Sequence, residues 1–124
     1  MKKIAYVKSA DFPHPGTPVR GSRSGAPIMA LFDLLGRRWA MGVLWTLREN
    51  EPSTFRQLQE RCETISPAVL NKRLGELRAA QFVTRGEGGY ITTALGRELY
   101  DQLVPLGLWS KDWAKALDEM SEMP

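Results

Sequence analysis

The chain has one cysteine, Cys62, and one histidine, His14, among its 124 residues. With so few thiols and imidazoles, neither an intrachain disulfide nor a Cys/His zinc cluster can form within one chain. Long apolar runs are also missing. No stretch approaches the roughly 20 residues of a bilayer-spanning helix, and the N-terminus has no hydrophobic segment of signal-peptide type. A cytoplasmic location without membrane contact is the resulting expectation. GxSxG, Walker-type and GxGxxG motifs are absent as well, so the expectation is a non-enzyme with no cofactor and no metal site.

What is present fits one modest globular core: 43% hydrophobic and 25% charged residues. The net charge of +3 is only mildly basic, and its distribution says more. Residues 1–26 carry +4, residues 27–100 carry +2, and residues 101–124 carry −3. The first 26 residues are rich in Pro and Gly beyond Ser9, which blocks a long helix or central strand and reads as an extended, flexible basic arm. Residues 27–120 form the folded domain and 121–124 a tail.

Within the domain, Ile28, Leu31, Phe32 and Leu35 share one helical face that ends at Gly36, and Trp39 to Leu47 repeat the pattern until Glu51-Pro52. Thr54 and Gln57 make a capping box ahead of a third helix that turns Phe55, Leu58 and Cys62 inward. Ser66-Pro67 is an N-cap followed by a proline at the first helical position. The fourth helix buries Leu70, Leu74 and Leu77 and leaves Ala68, Asn71, Lys72, Gly75 and Arg78 outward. Two helices joined by so short a turn form a helix-turn-helix pattern. Two β-prone segments around Gly86-Glu87-Gly88-Gly89 then read as a tight hairpin. Thr93 caps a fifth helix that Pro105 kinks or ends. The last helix repeats Leu106, Trp109, Trp113, Leu117 and Met120 in an apolar seam. The fold class is therefore mainly α with a small β-hairpin, a winged helix-turn-helix whose terminal helices form a dimer interface.

Several ordered blocks resemble the HxlR family of winged-helix regulators, itself similar to the MarR-type group: APIMALFDLLGRRW, TFRQL, ISPAVLNKRLGELRAAQFVTR and YITTALG, over roughly residues 26–117. The resemblance implies a DNA-binding transcription factor, more often a repressor. Ala26 stands where many members have a cysteine that in some serves as a redox sensor. Cys62 falls at a core position and does not replace it. Ala68 stands where a basic residue is frequent, and the hairpin is shorter than the usual wing.

Such a fold lays its recognition helix in the major groove. Asn71 can pair with adenine, Lys72 or Arg73 can reach guanine or phosphate, and Ala68 offers a methyl contact. Ser66 and its neighbouring N–H groups can hold a phosphate, and Arg85 at the hairpin base can do the same. Arg73 equally suits a packed stem paired with a carboxylate, and Arg37 and Arg38 suit either the duplex flank or solvent. The basic arm reads as a tail or as a segment lying along DNA. Two recognition helices related by a dyad read palindromic half-sites, with Leu31, Phe32, Leu106, Trp109, Trp113 and Leu117 as the expected interface. The same interface leaves room for a small-molecule effector of unspecified identity. The competing function is a winged-helix protein-interaction module that makes no specific DNA contact.

Overall fold

A computed structural model describes residues 12–122 as five helices and one antiparallel hairpin. In chain order they are α1 (Pro27–Leu35), α2 (Ala40–Asn50), α3 (Phe55–Arg61), α4 (Pro67–Ala79), β1 (Val83–Gly86), β2 (Gly89–Thr92) and α5 (Ala94–Ser121). The caps follow the local sequence. Thr54 accepts from the Gln57 N–H while the Gln57 side chain accepts from the Thr54 N–H, completing the capping box of α3. Ser66 and Thr93 likewise accept from the N–H three residues on, at the heads of α4 and α5.

Leu44, Leu47, Leu58, Leu70, Leu74 and Leu77, all at most 1% exposed, fill the space between α2, α3 and α4. Val83, Tyr90 and Leu99 join this cluster from the hairpin and α5. Phe55 packs on its edge and Cys62 lies within it, as the spacing of α3 predicts. The hairpin pairs Val83 with Thr92 through Gly86 with Gly89, leaving only Glu87 and Gly88 at its tip. A single bridge from Ser53 to Tyr90 adds the remnant of a third strand, with bonds of 3.1 and 2.7 Å. Gly89, at φ +134, passes so close to the Ser53 carbonyl that a Cβ there would collide with backbone.

Two expectations change. The fifth and last helices are one 28-residue helix that continues through Pro105. Proline removes one helical hydrogen bond and crowds the carbonyl four residues back. Here that carbonyl belongs to exposed Asp101, where water can satisfy it. The part of the basic arm that is described, residues 12–26, is not extended. It folds back through the Gly16–Gly25 and Val19–Ser22 backbone bonds and buries Pro13. Residues 1–11 of the expected arm lie outside the described residues, as do 123 and 124 of the expected tail.

Candidate nucleic-acid interface

The polar start of α4 is held up to solvent by the apolar stripe beneath it. Leu70, Leu74 and Leu77 are buried, whereas Ser66, Pro67, Ala68, Asn71 and Lys72 are exposed. Gly75 and Arg78, expected outward, are half-buried. Ser66 caps the helix through the Val69 N–H at 3.2 Å; Pro67 has no N–H, which leaves those of Ser66 and Ala68 at the helix start. Asn71 and Lys72 are exposed and make no side-chain bond among the described residues.

Arg73 is placed differently. Its Nε donates to the Arg38 carbonyl at 2.6 Å and its Nη1 to Glu76 at 3.0 Å, and the side chain is 13% exposed. Of the two readings open at the sequence level, this geometry fits the packed stem: Arg73 braces α4 against the turn between α1 and α2. The other Glu76 oxygen accepts from Arg37 at 2.9 Å, and Arg37 also approaches Asp33 at 3.7 Å. A fully buried carboxylate is tolerated because both oxygens meet a guanidinium. Local periodicity could not have found this site, since Arg37 lies 39 residues from Glu76.

Arg85 stands opposite Tyr90 in the hairpin, its guanidinium 5.2 Å from the ring centroid. Stacking on the ring fixes the cation at the exposed edge of the wing. A second polar cluster, which no local sequence pattern announces, ties the wing to the helices. Glu51 accepts from the Thr92 N–H at 2.7 Å and its hydroxyl at 2.9 Å, and pairs with Arg48 at 2.8 Å. Burial pushes the Glu51 carboxyl up, but the Thr92 bonds and the Arg48 charge outweigh it and hold the group below its ordinary value.

The residues expected at a dimer interface separate into two kinds. Phe32, Leu106, Trp109, Trp113 and Leu117 are exposed, between 47% and 59%. Leu31 instead packs partly on the core. It also lines an apolar cavity of about 260 Å³ with Phe12, Ala30, Leu34 and Phe82.

A family model described as the HxlR-like helix-turn-helix matches residues 34–118. An uncharacterised HTH-type transcriptional regulator of Halalkalibacterium halodurans is 33% identical over 61 residues, 49% of this chain. The aligned part is 54% of that protein, so the chain spans about half the length of the curated relative it matches. Among solved structures, quinone-bound YodB from B. subtilis has a TM-score of 0.63 at 28% identity, covering 68% of this chain and 96% of that one. A possible HxlR family transcriptional factor from Thermoplasma volcanium has a TM-score of 0.62 at 23% identity, covering 72% and 85% respectively, and supports the fold alone. With the family matched across α2 to α5 and the hairpin following the helix-turn-helix, the chain belongs to the HxlR-like helix-turn-helix family.

Proposed function

We propose that the protein is a homodimeric repressor that reads a palindromic operator in duplex DNA. The observation that carries this reading is the capped start of α4, with Asn71 and Lys72 projecting from a helix whose opposite face is fixed in the core. Asn71 and Lys72 read bases, Ala68 offers a thymine methyl contact, and Ser66 with its N–H groups takes a phosphate. Arg85 takes a phosphate from the wing. Arg73 serves these contacts indirectly, as the brace of the helix that carries them.

The dimer is supported by the exposed seam of α5, whose tryptophans 109 and 113 lie parallel with centroids 6.4 Å apart. Phe32 of α1 is a further exposed aromatic residue that a partner could cover. The solved YodB structure contains a bound quinone, and an effector of neutral aromatic character suits the apolar cavity beside Leu31 and Phe82 in this chain. Because Ala26 replaces the family's frequent cysteine, such an effector binds without a thiol at that position.

Selection of bound duplexes from a random pool tests the reading. The wild-type protein is expected to enrich one palindromic site. Asn71→Ala or Lys72→Ala should relax particular positions of that site, whereas Arg85→Ala should weaken all duplexes alike. Binding that is absent, or indifferent to sequence, would favour a protein-assembly role for the winged helix.

A further inference from the structure

We infer that a DNA backbone phosphate docks in the basic recess where the N-terminal loop, the α1–α2 turn and α4 meet, held by Arg20 and Arg38, with the base-reading Lys72 on the same rim. The inference rests on the DNA-binding reading above and adds a binding surface from outside the helix-turn-helix. The recess has a volume of about 570 Å³ and is built in two layers. Its inner layer is internally paired: the Glu76 carboxylate takes both Arg37 and Arg73, and Asp33 takes Arg37 at 3.7 Å. Arg20, Arg38 and Lys72 form the rim, all three exposed and without an ion pair among the described residues. Three cations gathered from three separate elements repel one another unless an anion sits among them.

Arg20 is held at the rim by specific geometry. Val19 and Ser22 exchange backbone bonds of 2.8 and 3.0 Å, with Gly21 between them at φ +82. Arg20 is thereby placed at the tip of a tight turn that needs a glycine at its third position. Its own N–H donates to the Asp33 carboxylate at 3.2 Å, anchoring the turn to α1. The acid that would otherwise oppose an anion thus positions a cation for it.

Lys72 selects the source of the phosphate. It belongs both to the rim and to the exposed face of α4, next to Asn71. An anion in the recess therefore lies beside the surface that approaches the groove, where the nearest phosphates are those of the duplex.

The test is equilibrium binding of the intact chain, across a salt series, to a duplex enriched by the wild type and to a scrambled duplex of equal length. The variants are Arg20→Gln, Arg38→Gln and their combination, with Lys111→Gln on distal α5 as control. Each recess variant is expected to weaken both duplexes several-fold and leave the enriched sequence unchanged. The slope of log K against log salt should fall by about 0.9 for each phosphate that is no longer neutralised, and by twice that for a bound dimer. The control should keep the wild-type slope. Gly21→Ala, which strains the turn without removing charge, should lower the slope in part. Both arginine side chains are exposed, so the variants should melt like the wild type. Variants that fold normally and retain the wild-type slope overturn the inference while leaving DNA binding intact. Failure of the wild type to bind either duplex overturns the DNA reading itself. Calorimetry with inorganic pyrophosphate separates the sources: binding lost in Arg20→Gln, with an unaltered duplex slope, assigns the recess to a free anion and also overturns the inference.

Discussion

Cys62 and Glu76 are both buried, and each is controlled by what surrounds it. Burial pushes the Cys62 thiol up, more than its hydrogen bond with Thr46 pulls it down, so the reactive thiolate is scarce near neutrality. The side chain is also only 5% exposed. An aromatic disulfide reagent should therefore label the native protein far more slowly at neutral pH than the same protein in denaturant. Rapid native labelling, read by absorbance, would count against a purely packed cysteine. Core placement of Cys62 is legible in the sequence because its i, i+7 spacing from Phe55 is local. Glu76 is only half legible. Its neighbour Arg73 lies three residues away on the same helix, but the decisive partner Arg37 comes from a different element. Without that partner in view, the sequence leaves Arg73 between a DNA contact and a structural brace.

The elements themselves are the most readable part, because capping is a negotiation between residues three or four apart. Thr54, Ser66 and Thr93 all cap where the sequence predicts. Pro105 is harder, since whether a proline stops a helix depends on the surroundings of one freed carbonyl. The hairpin poses a different problem: two short strands are marginal alone. This one is fastened along β2 by Glu51, by the Ser53 bridge and by Arg97, which donates to the Thr92 carbonyl at 2.9 Å. Since the Glu51 carboxyl is depressed in the folded protein, its stabilising contribution is complete above the ordinary carboxylate range. It is lost as pH falls through that range toward the lowered value. The thermal midpoint should therefore drop on acidification below about pH 5, and Glu51→Gln should flatten that part of the profile while lowering stability at neutral pH. A variant profile parallel to the wild type would show that Glu51 is not the wing's acid-sensitive fastening.

At the scale of the whole molecule, α5 runs past the domain that starts it. From Leu108 to Ser121 every residue is exposed in the single chain. A helix segment of that length is marginal in water without packing on its apolar face, which supports the proposed second copy. Sedimentation should give a dimer at micromolar concentration for the wild type. The double variant Trp109→Asp, Trp113→Asp should give a monomer with reduced helical circular dichroism from a frayed α5. A helical wild-type monomer would leave the seam without its proposed role. Charge follows the same division, because the net −3 of residues 101–124 lies away from the basic recess. In the proposed dimer the uninterrupted α5 also acts as a lever. Its head begins at Ala94, two residues after the last residue of the wing, and the tryptophans lie past its midpoint. Over the roughly 40 Å of such a helix, a pivot of about 5° displaces the head by about 3.5 Å, close to one base-pair step. A slight reorientation at the distal end is enough to throw two reading heads out of phase with their half-sites, with no change inside either domain.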